Sequence, residues 1–246
     1  MARATLFIIA LAVGLTGCSV DDRTLLEEGE SVGGSGGSGA DARAGGTGNA
    51  GADPDAGSLK ECVYVAGEAP DSECETLVKN PGFHFDSSEW QSEKSAVYLG
   101  WHPVDPSDSD SSGSMGVLNL LSGISPIGVV SEGARQCLPA TQGKRYGTAV
   151  DVFIPSEQVY GWDGGFEDAK AGLSILFYRK DDCQGASIPQ GSSVTLAQGA
   201  DSWKRSSGWT LAPQETLSMA VRLVVIKPIS QPSLSALFDN VLVRER

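Results

Sequence analysis

Residues 217–228, LSMAVRLVVIKP, decide the fold class because apolar residues recur at every second position along them. In an extended chain every second side chain points to the same face, and from Leu217 to Val225 one face carries only large apolar groups. Residues 145–155, RYGTAVDVFIP, and 171–180, AGLSILFYRK, show a similar alternation. The predicted core faces are Met219, Val221, Leu223 and Val225; Val150, Val152 and Ile154; and Leu173, Ile175 and Phe177. These stretches predict β-strands with a buried face.

Clusters of glycine, proline, serine and aspartate separate the alternating stretches. They include residues 106–114, PSDSDSSGS; 161–165, GWDGG; and 180–187, KDDCQGAS. These residue types favour turns, and no stretch shows a convincing helical period. Many short strands joined by such turns predict an all-β protein, either a sandwich or a barrel.

The N-terminus has the layout of an export signal. Arg3 precedes an apolar run, LFIIALAVGL, which is too short to span a bilayer comfortably. The sequence Leu15-Thr16-Gly17-Cys18 resembles the lipobox of bacterial lipoproteins, which implies removal of residues 1–17 and lipidation of Cys18. By analogy, Ser19 after the cysteine favours the outer membrane and leaves open which side the protein faces. The alternative is an ordinary secretory signal.

Composition divides the mature chain into a linker, 18–59, and a domain, 60–246. The linker is rich in Gly, Ala, Ser and Asp and cannot bury enough apolar surface to fold, so it is predicted to be a disordered tether. The whole chain has 18 basic and 31 acidic residues, a net charge of −13, and no basic tract. Nucleic acid is therefore not an expected partner, whereas the lipid would attach the protein to a membrane.

Four cysteines follow Cys18, and an even number in an exported domain predicts two disulfides. Three pairings are possible. Cys62 and Cys74 bracket a short loop containing proline and glycine, so they form the local choice, and Cys137 with Cys183 follows. Neither pair has the spacing of a zinc site.

Six stretches, taken in order, resemble the jelly-roll carbohydrate-binding modules with a galactose-binding-like fold. The resemblance covers about 77–243 and implies a jelly-roll β-sandwich, preceded by a short Cys62–Cys74 hairpin. It implies the fold more firmly than the ligand. The stretches are LVKNPGFHFDSSEW (77–90), GSMGVLNL (113–120), GARQCLPATQGKRYGTAVDVFIP (133–155), AGLSILFYRKDDCQG (171–185), SWKRSSGWTLAPQETLSMAVRLVV (202–225) and LFDNVLV (237–243).

The closing stretch, LFDNVLVRER, places Asp239 in an otherwise apolar strand. In the family, an aspartate at this position commonly binds a structural calcium ion together with backbone carbonyls of the opening Asn-x-Gly-Phe segment, which implies Asn80 and Gly82 as partners. Calcium takes several oxygen ligands. His84 stands where the family usually has an acidic residue, although Asp86 is near. The alternative is that Asp239 only accepts backbone hydrogen bonds.

Aromatic residues in two turn-rich stretches are the candidates for sugar binding, because sugar rings stack on Trp and Tyr. By contrast, Trp90 and Trp203 match strand positions of the family and are expected in the core. The alternative for the loop tryptophans is packing over a sandwich edge. The candidate residues are Trp101, Trp162, Tyr98, Tyr160 and Asp163.

The sequence offers little support for catalysis. Neither His84 nor His102 has the context of a nucleophilic site, and Asp163, Glu167 and Asp168 share one acidic turn. The sequence therefore predicts a non-enzymatic, lipid-anchored envelope protein that binds a polysaccharide. The alternative is a structural or adhesive envelope protein with the same fold and no sugar ligand.

Overall fold

A computed structural model of the chain describes residues 59–108, 112–121, 129–156, 170–199, 201–228 and 231–246. Among them, no helix is long and apolar enough to cross a membrane. The predicted signal, Cys18 and the linker up to residue 58 lie outside the described residues.

The described residues form a jelly-roll β-sandwich of two antiparallel five-stranded sheets, which confirms the predicted fold class. The first sheet has the order β1-β4-β9-β6-β7 and the second has the order β2-β3-β10-β5-β8. The strands of the first sheet are β1 (Gln91–Ser92), β4 (Val129–Pro139), β6 (Lys170–Tyr178), β7 (Ser187–Ala197) and β9 (Ser218–Pro228). Those of the second are β2 (Val97–His102), β3 (Ser114–Asn119), β5 (Arg145–Phe153), β8 (Lys204–Leu211) and β10 (Leu234–Glu245).

The core lies between the two sheets and contains every residue of the three predicted core faces. Trp90 is also buried there, as expected. Trp203 is not: it is half-buried, and its ring packs 5.6 Å from that of Phe153. Phe153 alternates with the core residues Val152 and Ile154, so Trp203 covers the outer face of the second sheet instead of entering the core.

A β-bulge in β10 changes which residues of this strand face the core. The pairing with β5 shifts between Asp239 and Leu242, and Asn240 has a left-handed φ of 50°. Phe238 and Val241 therefore both face the core, although a regular strand would place them on opposite faces. Leu242 is buried on the outer face.

The outer face of the second sheet is partly covered by residues 59–76, which we call the strap. Leu59, Cys62 and Tyr64 belong to an apolar cluster that includes Ala149 of β5 and Leu242 of β10. The strap contains a short 3₁₀ turn, Ser72–Cys74, but no strand, so it is a disulfide-closed loop and not a β-hairpin. Backbone groups of the strap form hydrogen bonds within its own turns, as Glu68 N–H does with the Val65 carbonyl, and with side chains of the sheet, as Tyr64 N–H does with Asn240 Oδ1.

The structure joins Cys62 to Cys74 and Cys137 to Cys183, which are the two pairs expected from the sequence. The first bond closes the strap. The second ties the end of β4 to the turn between β6 and β7, and the backbone N–H of Cys183 donates to Oγ of Ser218 at 3.2 Å. The first bond therefore lies within the strap, and the second fixes the β6–β7 turn, which extends beyond the last strand pair, Tyr178 with Ser187.

Removing either disulfide should destabilise the domain. The bonds close loops with sequence separations of 12 and 46 residues. Loop-closure entropy predicts a loss of about 3 kcal/mol for Cys62→Ala/Cys74→Ala and about 4 kcal/mol for Cys137→Ala/Cys183→Ala. Urea denaturation of both double variants measures these losses, and an unchanged midpoint in either would show that its bond contributes nothing to stability.

Candidate functional site: a groove on the outer face of the second sheet

The candidate site lies on the outer face of β2, β3 and β10. In β2, Val97 and Leu99 pack against the core, so the alternate residues Tyr98, Gly100 and His102 face outward. The strand pairing places Gly100 opposite Gly116, which in turn lies opposite Leu237 of β10. The outward residues of three neighbouring strands thus form one continuous surface.

The strap leaves this part of the face open. It covers the portion that carries Ala149 and Leu242, where Tyr64 N–H donates to Oδ1 of Asn240 at 3.1 Å. The remaining portion is an open groove of about 480 Å³. This volume falls within the usual range for small-ligand sites. The residues lining it are Tyr98, Leu99, Gly100, His102, Gly116, Val117, Leu118, Pro155, Ser235 and Leu237.

The groove combines one exposed aromatic ring with aliphatic surface and a few polar groups. Tyr98 is 57% exposed, and Leu118 and Leu237 provide apolar walls. The polar groups are the Tyr98 hydroxyl, the His102 ring and the Ser235 hydroxyl. No Asp, Glu, Lys or Arg is found among the described residues that line the groove. A site of this kind offers an apolar stacking surface and isolated hydrogen-bonding groups.

Glycines shape the floor of the groove. A Cβ atom at Gly100 would meet no atom within 4 Å, so the space above this residue is open. A Cβ atom at Gly116 would come within 2.8 Å of Cδ2 of His102, so the imidazole lies directly over this glycine. The result is a depression at Gly100, with Tyr98 on one side and the His102 ring, which lies over Gly116, on the other.

The structure separates two of the residues that the sequence suggested as a sugar platform. Tyr98 lies in the groove, whereas Trp101 has the opposite parity in β2 and belongs to the other face. The Trp101 indole N–H donates to the carbonyl of Phe83 at 2.8 Å, and the ring packs against Gly113, leaving 40% of the residue exposed. Tyr160, Trp162 and Asp163 lie outside the described residues.

Sequence reasoning did not identify Gly100, Gly116, Leu118 and Leu237 as groove residues. Tyr98, Gly100 and His102 alternate with Val97 and Leu99, which is a signal that β2 has one polar or open face. The pairing of β2 with β3, and of β3 with β10, is needed to bring the other residues beside them. The first pairing joins consecutive strands, but β10 is distant in the chain from both, so no local pattern predicts that Leu237 lies beside Gly116.

Buried acidic residues lie next to the groove, under the edge of the strap. Asp239 is 2% exposed and pairs across the sheet with Asp151; its Oδ1 accepts the Asn240 N–H at 2.7 Å. Burial, together with the charges of Asp105 and Asp151, raises the pKa of Asp239 to about 8. Asp151 accepts from Arg205 Nη1 at 3.0 Å and from the Asn240 side chain at 2.9 Å. Asp239 is therefore mainly protonated at neutral pH when no cation is bound.

The two residues predicted to give backbone carbonyls to calcium have other contacts: the Asn80 carbonyl accepts the Trp90 indole N–H at 3.5 Å. The Asn80 side chain donates to the carbonyl and carboxylate oxygens of Asp86, each at 3.1 Å. Gly82 packs closely against Tyr64, where a Cβ atom would approach to 2.8 Å. Among the described residues, no group of three or more His, Cys, Asp or Glu could hold a metal ion. The acidic donors do not by themselves form a calcium site, which takes six to eight oxygens, and calcium at Asp239 stays a prediction.

No family model matches the chain, and no curated protein matches its sequence. Among solved structures, the enzymatically active domain of tailspike protein 4 from bacteriophage CBA120 is 14% identical with a TM-score of 0.50, over 70% of this chain and 21% of that chain. The CBM22-1–GH10 modules of Clostridium thermocellum xylanase 10B in complex with xylohexaose are 15% identical with a TM-score of 0.47. This match covers 68% of this chain and 28% of that chain. TmCBM61 in complex with β-1,4-galactotriose is 17% identical with a TM-score of 0.41, and the match covers 70% of this chain and 99% of that chain. At these identities the similarity concerns the fold.

Proposed function

We propose that this protein is a lipid-anchored envelope lipoprotein whose β-sandwich binds carbohydrate in the groove on β2, β3 and β10. The observation that carries the proposal is the exposed Tyr98 ring above an uncharged, partly aliphatic floor. A pyranose presents apolar C–H groups on its faces and hydroxyls at its rim, so it matches a surface with one aromatic ring and a few hydrogen-bonding side chains.

The architecture supports this role in a second way. The groove is built on strands of the sandwich and not on its loops, so its walls are held by the sheet pairing before any ligand arrives. A site that is already formed loses little conformational entropy on binding. The resemblance of the opening segment and the closing strand to carbohydrate-binding modules points in the same direction, and the predicted tether would display such a module away from a membrane.

Tyr98→Ala should weaken polysaccharide binding about tenfold or more, because it removes the only Phe, Tyr or Trp ring among the described residues of the groove. Affinity electrophoresis and calorimetry with xylan, β-1,4-galactan and a soluble β-glucan measure the effect. Phe85→Ala is the matched control, since Phe85 is 77% exposed and does not line the groove. If the wild type binds none of a broad panel of glycans, the structural or adhesive role replaces this proposal.

A further inference from the structure

We infer that the groove takes an uncharged sugar unit of a glycan, with its ring seated on Gly100 between Tyr98 and His102. The inference rests on the proposed carbohydrate-binding function and specifies the ligand class and its seat. It follows from the shape of the floor and the charges around the groove.

The seat is defined by Gly100. Tyr98 and His102 lie two residues on either side of it, which corresponds to roughly 7 Å along the strand in each direction. The space above Gly100 is empty, whereas the His102 ring fills the space above Gly116. A sugar ring on Gly100 would therefore touch the Tyr98 ring with its apolar face and reach the His102 nitrogens with a hydroxyl group.

Charge around the groove argues for an uncharged ligand. The described lining has no cationic side chain that could meet a carboxylate or sulfate. Arg205, on the same sheet, already donates to Asp151 and to the Lys60 carbonyl of the strap. The whole chain has a net charge of −13, so a polyanionic glycan would be repelled on approach and would find no ion pair in the groove.

The His102 ring limits how far a ligand extends across the sheet. Gly100, Gly116 and Leu237 lie side by side on β2, β3 and β10. Because the imidazole fills the space above Gly116, a sugar ring fits above Gly100 but not above its neighbour on β3. The groove therefore takes one sugar unit at Gly100.

Gly100→Val tests the seat directly. Valine is favoured in strands, and its Cβ would meet no atom of the protein, so the fold should be retained while the seat is filled. We expect the melting temperature to stay within error of the wild type and binding of neutral xylan, β-1,4-galactan or β-glucan to fall about tenfold or more. Ser207→Val, at an exposed position of edge strand β8 in the same sheet, is the control and should bind normally.

The outcomes separate this inference from the proposed function. If Gly100→Val binds neutral polymers as tightly as the wild type while Tyr98→Ala does not, carbohydrate binding stands and the seat is wrong. If the wild type prefers polygalacturonate or alginate to neutral polymers, the uncharged ligand class is wrong. If no glycan binds to the wild type, both proposals fail together.

Discussion

Asp239→Asn should abolish most of the pH dependence of stability between about pH 4 and pH 8. In the folded protein burial and the charges of Asp105 and Asp151 raise the pKa of Asp239 to about 8, against an ordinary value of 3.8. The folded state therefore binds the proton more tightly than the unfolded state does. The stabilisation is fully present below about pH 4 and is lost as the pH rises through about 8, with a change on the order of a few kcal/mol.

Asparagine mimics the protonated carboxyl, because it is uncharged and keeps an oxygen for the Asn240 N–H. We expect Asp239→Asn to match the wild type near pH 5 and to exceed its stability near pH 9. Asp239→Ala should lose about 1–3 kcal/mol near pH 5, since it leaves the buried Asn240 N–H without its acceptor. Urea denaturation of the three proteins in chelator, at several pH values, measures these differences.

Adding calcium to the same denaturation experiments tests whether Asp239 binds this ion. If Asp239 binds calcium, the ion holds the carboxyl ionised, so added calcium should raise the melting temperature of the wild type near pH 8 but not that of Asp239→Asn. Asp181→Asn, at an exposed turn, is the control and should respond like the wild type. Identical wild-type melting with calcium and with chelator would exclude calcium. A wild type whose stability does not change between about pH 4 and pH 8 in chelator would contradict the buried neutral carboxyl.

Cys18→Ser should remove the protein from the membrane fraction and abolish its labelling with a radioactive fatty acid. The predicted lipoprotein carries several acyl chains on Cys18, and several chains give stable anchoring where a single chain gives only marginal binding. Serine has no thiol to receive the diacylglyceryl group, so the whole anchor is lost and not only weakened. Fractionation of cells that express each protein measures the effect.

Ser19→Ala is the matched control for the anchor. It changes the neighbouring residue but keeps Leu15-Thr16-Gly17-Cys18, so lipid labelling should continue. Mass spectrometry of the mature wild type should show an N-terminus at Cys18 with added acyl groups. A mature chain that begins elsewhere and carries an unmodified Cys18 would show that the segment is an ordinary secretory signal.

The sequence by itself determined the all-β class and the core faces of three strands. Period-two alternation in 145–155, 171–180 and 217–228 reflects a purely local property, because each strand must bury one face whatever its partners are. The disulfide of Cys62 with Cys74 is likewise local, since a short loop with a turn brings its ends together. The single carboxylate of Asp239 in an apolar strand also predicted, from sequence, a buried side chain that accepts hydrogen bonds or binds a metal ion.

Only the tertiary structure decided where the groove lies and how large it is. The strap covers one part of the outer face, and the pairing of β2 with β3 and β10 gathers Gly100, Gly116 and Leu237 from segments up to 137 residues apart. The bulge at Asn240 reverses the faces of the residues that follow it, which a regular period cannot anticipate. Local patterns set which face of a strand is apolar. Contacts between distant strands set which outer face stays open, and the free energy of those contacts depends on the whole sandwich.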